Sequence, residues 1–237
     1  MKIRTLSLLA VLSAGFATAL AAQEPAVSAG ETDHVAAIKQ SLQTSTATLR
    51  QYQWVETTVV SLKGEEKSRT QNNCYYGADG KLQKTVIGSA PEGDDKKRGL
   101  RGKVVENKKE EISESTKEAI ALVKQYVPPD PARIQAAKEA GRLSITPPDS
   151  KGLVVVVIKD YLKTGDSLTL QVNASTDRIA GATISTFTES AKDKVELKVA
   201  FGALADGTLY PATIRLDVAA QNLALAIENS GYKKLGS

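Results

Sequence analysis

The chain offers few side chains that could do chemistry. His34 is the only histidine and Cys74 the only cysteine among the 237 residues. His34 follows Glu31 and Asp33, which suits a metal ion or a general base, and Cys74 would be a nucleophile if nearby positive charge lowered its pKa. One imidazole and one thiol exclude an intramolecular disulfide, a Cys/His zinc site and any catalytic centre that needs two histidines. We therefore predict that His34 is exposed to solvent and that Cys74 is a lone thiol in a strand, and we predict no metal ion or cofactor.

The acidic pairs and the glycines give no stronger signal. Asp94-Asp95 and Glu110-Glu111 lack the ligand spacing and the central glycine of a calcium loop. The glycines at 77, 80 and 88 do not open a strand-to-helix turn, and no G-x-S-x-G motif is present. We predict that the protein is not an enzyme. The alternative is an enzyme in which carboxylates or Cys74 converge in a cleft.

The first residues have the features of an export signal. Lys2 and Arg4 precede an apolar run, and Ala19-Leu20-Ala21 fits the site that signal peptidase cleaves. We predict a signal peptide over residues 1–22, a flexible mature N-terminus over 23–30 and a single domain over 31–237. The protein should be exported to the periplasm, with release from the cell as the alternative.

The charge pattern argues against nucleic acid as a partner. The chain has 31 basic and 27 acidic residues, and removal of Lys2 and Arg4 leaves 29 against 27. Opposite charges are interspersed, whereas a nucleic-acid groove needs a stripe of one sign and usually stacking aromatic residues. No apolar run after the signal is long enough to span a membrane. We predict no nucleic-acid partner and no membrane-spanning segment.

The first third of the chain predicts a helix and three strands. An N-cap at Thr32 or Asp33 and apolar residues at helical steps predict a helix over 33–50. Period-two alternation predicts a strand over 52–62, and the polar run 66–76 predicts a second strand at a sheet edge or against solvent. Asp79-Gly80 predicts a hairpin turn into a third strand. The charged, glycine-rich segment 89–103 then predicts a mobile loop, a candidate gate.

The centre of the chain predicts two helices and the rest predicts strands. Positions 112, 116, 119, 123 and 126 form a narrow apolar stripe that Pro128-Pro129 ends, and a shorter helix continues to Leu143. The run 153–158 has the composition of a strand covered on both faces, and Tyr161 and Leu162 extend it. One-sided antiparallel strands then follow to about residue 227. The predicted fold is α+β, with a curved antiparallel sheet and helices packed on its concave face.

This order of elements over roughly 31–235 resembles the bacterial lipoprotein-carrier superfamily typified by LolA, whose relatives include the N-terminal domain of the sigma-factor regulator RseB. That resemblance implies an incomplete β-barrel whose concave apolar face, covered by helices, holds acyl chains. Several segments also look like an uncharacterised family of exported bacterial proteins: LRQYQW (49–54), LKGEEKS (62–68), GADGKLQKT (77–85), YLKTGDS (161–167), DGTLYPA (206–212) and ENSGYKKL (228–235). No site residue is carried over from either family.

Two binding functions follow as hypotheses. The first is an exported, non-enzymatic binding protein for a lipid or acyl-bearing ligand, or an acylated protein, held in an apolar cavity. The second is a periplasmic protein-interaction or regulatory module with a filled core, which binds an envelope protein through a sheet edge or a charged loop. The residues predicted to line the cavity of the first hypothesis are Trp54, Val60, Ile112, Ala119, Val123, Tyr126, Leu197, Val199, Phe201, Ile214 and Leu216.

Overall fold

A computed structural model describes residues 29–89 and 114–236 of the chain. The helices are α1 (Ala29–Leu49), α2 (114–123) and α3 (Pro131–Glu139), and two 3₁₀ turns span Lys124–Tyr126 and Ala219–Gln221. The strands are β1 (Tyr52–Leu62), β2 (Glu65–Tyr76), β3 (Leu82–Ser89), β4 (Leu143–Ile145), β5 (Leu153–Lys159), β6 (Ser167–Asn173), β7 (Arg178–Phe187), β8 (Lys194–Ala203), β9 (Leu209–Val218) and β10 (Leu223–Lys234).

The ten strands form one antiparallel sheet in the order β3-β2-β1-β10-β9-β8-β7-β6-β5-β4. Consecutive strands pair within two meanders, β1 to β3 and β4 to β10, and the pairing of β1 with β10 joins the two meanders. At the first turn, Lys63 and Gly64 both have positive φ values of 54° and 80°, which matches the twist of a two-residue hairpin. The sheet does not close on itself, because β3 and β4 each pair with one described strand.

The hydrophobic core lies on one face of the sheet. Residues directly opposite one another on paired strands share a face, so the pairs Leu197↔Leu216 and Leu225↔Leu216 align one apolar row across β8, β9 and β10. Helix α2 adds Ala119, Ile120 and Val123 to the same cluster of buried residues. The predicted α+β class and antiparallel sheet are confirmed, and Ala137 of α3 also belongs to this cluster.

Some predicted boundaries are wrong. Helix α1 begins at Ala29, so Thr32 and Asp33 lie inside the helix and neither is its N-cap. Leu143 does not continue α3, because Gly141 at φ 67° ends the helix and Leu143 begins β4. Tyr161 and Leu162 lie in the β5–β6 turn, where their backbone N–H groups bond to Asp166 instead of a neighbouring strand.

Two strand environments also differ from the prediction. The polar run 66–76 is not at a sheet edge, since β2 pairs with β1 on one side and with β3 on the other. The apolar strand β5 is not covered on both faces, because only Ile158 of its seven residues is fully buried. Polarity in β2 reflects a polar interior on one face and solvent on the other. The predicted loop over 89–103 lies outside the described residues, apart from the last residue of β3.

A buried hydrogen-bond network holds the end of the α2 segment on the sheet. The Tyr126 hydroxyl donates to Asp166 Oδ2 at 2.5 Å and lies 2.8 Å from Thr186 Oγ1, which can donate back to it. Asp166 is 3% exposed and also accepts the backbone N–H groups of Tyr161 and Lys163. Burial and the bond to Asp166 both raise the pKa of Tyr126, so the hydroxyl stays protonated.

Substitution Tyr126→Phe should destabilise the protein by about 1–3 kcal/mol. The change keeps the ring but removes a hydroxyl that a buried carboxylate depends on, and such a lost bond costs the desolvation of its partner. Urea unfolding followed by circular dichroism measures the loss. The matched control is Tyr52→Phe, whose hydroxyl bonds to the exposed Asp206 and should cost much less. Equal losses for the two variants would contradict the structural role of this network.

Candidate binding surfaces

The residues predicted to line a cavity are mostly buried. Seven of them belong to the hydrophobic cluster and are 0–6% exposed. These are Ala119, Val123, Tyr126, Leu197, Val199, Ile214 and Leu216. Val60 and Phe201 are partly buried and pack against the same cluster. Trp54 is buried elsewhere on the sheet, and Ile112 lies outside the described residues. Apart from Trp54, these described residues therefore belong to one interior.

A second, polar interior covers the β1–β2–β3 end of the same sheet face. Glu56 on β1 and Lys84 on β3 form an ion pair in which the ammonium lies 2.6 Å from each carboxylate oxygen. Their side chains are 6% and 14% exposed. Thr58 is buried beside them and lies 3.5 Å from Glu56 Oε1. A charge pair this far from water is stable only when both partners are present, because either charge alone would be buried without compensation.

Buried amides extend this polar interior. Asn229 on β10 accepts a hydrogen bond from Trp54 Nε1 at 3.1 Å and donates to the carbonyl oxygen of Pro211 at 2.8 Å. Asn72, directly opposite Glu56, is 3% exposed, and its Nδ2 has no partner among the described residues. The group containing Glu56, Lys84, Thr58, Asn72 and Asn229 is called the polar cluster below.

Aromatic rings form the wall next to the polar cluster. Trp54 stacks on Tyr232 with ring centroids 5.6 Å apart, and Tyr76 lies 5.8 Å from Trp54 on the other side. Tyr210 and Tyr52 contact Tyr232 in turn, at 4.4 and 6.5 Å. Offset and edge contacts of this kind add stability beyond the area they bury. Trp54 is thus held by a packed aromatic row, which agrees with a core role for it.

Cys74 lies at the centre of this region and is inaccessible. The side chain is 0% exposed, and burial, followed by the nearby Glu56 charge, raises the pKa of its thiol to about 12. Both effects disfavour the thiolate that a nucleophile or a metal ligand requires. His34 lies in α1, where the structure does not describe its side chain. Within residues 29–89 and 114–236 no three His, Cys, Asp or Glu side chains come close enough to hold a metal ion.

The two edges of the open sheet carry the most exposed large apolar residues of the described chain. On β3, Val86 and Ile87 are 60% and 56% exposed, and on β4 Ile145 is 56% exposed. Val86 is opposite Asn72 and Ile145 is opposite the half-buried Val156, so each lies on the inner face of the sheet at its margin. Ile87 is the extra residue of a β-bulge between β2 and β3. These edges are the apolar surfaces available to a partner.

One feature of the sequence, a charged residue at an inward strand position, indicated the polar cluster. Glu56 occupies an inward position of β1, between Trp54 and Thr58, where an apolar residue would be expected. Lys84 occupies the equivalent face of β3, because it is opposite Cys74. A charged residue at an inward position predicts a buried partner, but the partner's identity depends on strand register, which the sequence does not define.

Among known proteins, only solved structures match this chain. No family model matches the chain, and no curated protein matches it. Among solved structures, the chain is similar to a LolA superfamily protein from Nitrosomonas europaea, with 14% identity, a TM-score of 0.30 and coverage of 83% of this chain and 94% of that one. A DUF1329 family protein from Desulfovibrio piger has 9% identity, a TM-score of 0.30 and coverage of 84% and 94%. The MucA/MucB complex of Pseudomonas aeruginosa has 8% identity, a TM-score of 0.21 and coverage of 88% and 100%.

The solved structures to which the chain is similar thus include a protein of the superfamily that its order of elements resembles. With identities and TM-scores this low, they carry no argument about a ligand, a partner or a site in this chain. No helix in the described residues is long and apolar enough to cross a membrane. The function must therefore be argued from the chain's own surfaces.

Substitution Lys84→Met should destabilise the protein by about 3–5 kcal/mol, because it leaves the Glu56 carboxylate buried without a partner. The double variant Glu56→Met/Lys84→Met should recover most of that loss, since it removes both charges. Urea unfolding gives the free energies. The control is Arg69→Met in the exposed Glu66–Arg69 pair, for which we expect little or no loss of stability because solvent screens both charges. A loss for Lys84→Met no larger than that of the control would contradict the burial of the pair.

Cys74 should not react with a thiol reagent in the folded protein. At pH 8 the raised pKa keeps the thiol protonated, and its side chain is 0% exposed, so modification requires unfolding. The reaction with 5,5′-dithiobis(2-nitrobenzoic acid) should reach one thiol per chain in urea and proceed far more slowly in buffer. Rapid reaction in buffer, at a rate close to that in urea, would show that the polar cluster is open to solvent.

Proposed function

We propose that the protein is an exported, non-enzymatic binding module of the bacterial envelope that takes an extended segment of a partner protein along β3, at an edge of the described sheet. The observation that supports this function is the exposure of Val86 and Ile87, at 60% and 56%, on a strand with one described neighbour. An edge strand offers unpaired backbone groups for a further strand, and exposed apolar side chains give that strand a preferred sequence.

The composition of β3 supports this choice over β4. Strand β3 has eight residues, whereas β4 has three, so β3 offers the longer row of backbone groups. The side chain of Lys84 turns inward to Glu56, which leaves Val86 and Ile87 as the apolar side chains at the end of the strand. An inward charge and a bulge at an edge also discourage indiscriminate pairing between copies. A partner would therefore need a complementary segment rather than any exposed strand.

Binding of an acyl ligand is the second candidate. It is favoured by the large apolar cluster that α2 covers, whose margin includes partly buried Val60, Leu122, Val156 and Phe201. Each buried methylene of an acyl chain would contribute about 0.8 kcal/mol. However, the residues at the centre of the cluster are packed together, so an acyl chain would need α2 to move away from the sheet. We give this candidate second place because the Tyr126 network opposes such a movement.

Photo-crosslinking at β3 tests the proposed partner. p-Benzoylphenylalanine placed at position 86 or 87 in the exporting cell should give one discrete crosslinked protein, whereas position 145 on the other edge should not. Mass spectrometry of the product should identify an extended segment with apolar residues at alternate positions.

A synthetic peptide of that segment then gives the affinity. Val86→Glu should weaken its binding by about tenfold or more, since burial of a charge at an apolar contact costs at least 1.4 kcal/mol. Ile145→Glu is the matched control and should leave the affinity unchanged. Equal crosslinking at 86 and 145, or a peptide that binds Val86→Glu normally, would contradict binding along β3.

A further inference from the structure

A polar groove of about 480 Å³ lies between α1 and the β8–β9 turn. Its walls contain hydroxyl groups and one charge of each sign. The lining residues are Gln40, Ser41, Thr44, Ser45, Thr48, Arg178, Asp206, Gly207 and Thr208. None of them belongs to the hydrophobic cluster, the polar cluster or the edge of β3. The groove is thus a separate feature of the surface.

One face of α1 presents hydroxyl groups to this groove. Ser41, Ser45 and Thr48 are four and three residues apart, a spacing that aligns side chains along one side of a helix. Ser45 is 6% exposed, and its Oγ accepts the backbone N–H of Leu209 at 3.0 Å. A helix that packs on a sheet usually turns an apolar stripe toward it. Ser45 instead bonds α1 to the first residue of β9, and the hydroxyls of Ser41 and Thr44 line the groove beside it.

Arg178 supplies the positive charge of the groove. Its side chain is half-buried and makes no hydrogen bond or ion pair within the part of the chain that the structure describes. The guanidinium lies over Gly207, where a Cβ atom would come within 2.8 Å of Nη2. Gly207 also has a φ of 82°, which other residues rarely adopt. Glycine at 207 thus leaves room for the guanidinium to reach the groove.

Asp206 supplies the negative charge. Its carboxylate accepts the Tyr52 hydroxyl at 2.7 Å and the backbone N–H of Thr208 at 3.0 Å. Chiefly through the Tyr52 bond, these donors lower the pKa of Asp206 to about 2, so the group is ionised at neutral pH. Arg178 and Asp206 line the same groove without forming an ion pair with each other. The groove is therefore lined by two separate charges of opposite sign, that of Arg178 and that of Asp206.

We propose that the groove binds a zwitterionic ligand that carries a phosphate or carboxylate group and a primary ammonium group a short chain apart. The anionic end bonds to the Arg178 guanidinium and to the hydroxyls of Ser41 and Thr44. The ammonium end bonds to Asp206. A simple anion would be repelled by Asp206 and a simple cation by Arg178, so the pair of charges selects a ligand with both. The same chemistry occurs in a phosphoethanolamine lipid headgroup and in free amino acids or phosphoamines.

The test uses O-phosphoethanolamine, with ethyl phosphate and ethanolamine as probes that each lack one charge. ¹H–¹⁵N spectra of the mature protein should show shifts at Gly207 and Thr208, and O-phosphoethanolamine should bind several-fold more tightly than either single-charge probe. Arg178→Gln should weaken binding of both phosphate-bearing probes by about tenfold or more, the typical worth of a charge-assisted contact. Asp206→Asn should abolish the advantage of O-phosphoethanolamine over ethyl phosphate.

Two controls separate binding from folding. Arg215→Gln removes an exposed guanidinium that pairs with Asp217 on β9, and it should leave every affinity unchanged. Arg178→Lys keeps the charge but loses the planar donor geometry, so it should retain part of the affinity that Arg178→Gln loses. Circular dichroism of each variant checks that the fold is intact.

Vesicles distinguish the two sources of the ligand. Sedimentation with phosphatidylcholine vesicles that contain phosphatidylethanolamine, and not with phosphatidylcholine alone, would identify a lipid headgroup. Binding of free O-phosphoethanolamine without sedimentation would identify a soluble ligand. The proposal is overturned if O-phosphoethanolamine at millimolar concentration shifts no groove resonance, or if Arg178→Gln binds it as the wild type does. Neither result depends on β3, so the proposed partner binding is tested independently.

Discussion

The open edges of the sheet are the constraint on which the rest of the structure depends. A closed barrel satisfies the backbone of every strand, but this ten-stranded sheet leaves β3 and β4 with one described neighbour each. Its apolar face must then be covered by other elements, and α2 and α3 provide that cover with a few small or medium side chains such as Ala119, Val123 and Ala137. The Tyr126–Asp166 bond anchors the covering segment. Because the sheet is open, its apolar face needs helices to cover it, and its two edge strands keep one described neighbour each.

The interior of the sheet changes character from one end to the other. Between β6 and β10 it is apolar and filled, whereas under β1, β2 and β3 it contains an ion pair, two amides and a row of aromatic rings. Buried polar groups contribute little net stability, but they penalise incorrect strand register, because a slip of one residue would expose Glu56 and bury its neighbours. The ion pair also draws Lys84 away from the surface of β3. The polar end of the interior therefore shapes the edge at which we place partner binding.

Much of the fold could be predicted from the sequence, because local patterns determine it. Period-two alternation located β1 and several strands after β5, a continuous apolar run located β5, and Asp79-Gly80 located the second hairpin. The stripe through Ala119, Val123 and Tyr126 predicted the buried face of α2, which the core confirms. The sequence did not reveal whether that stripe lines a cavity or fills a core, since both require the same residue types. It also missed the groove, because Ser45, Arg178 and Asp206 lie far apart in the chain and meet only through the β8–β9 turn and α1.

Binding at the surface, as we propose, requires that side chains fill the apolar interior. Native mass spectrometry of the mature protein, purified gently from cells and then mixed with phospholipids, tests that claim most directly. We expect the mass of the bare chain, with no acyl-bearing species retained after desolvation and none extracted into organic solvent. A co-purifying phospholipid or acylated peptide at near one-to-one, lost when Val123 is replaced by a larger residue, would show that α2 covers a ligand-binding cavity and would contradict the account.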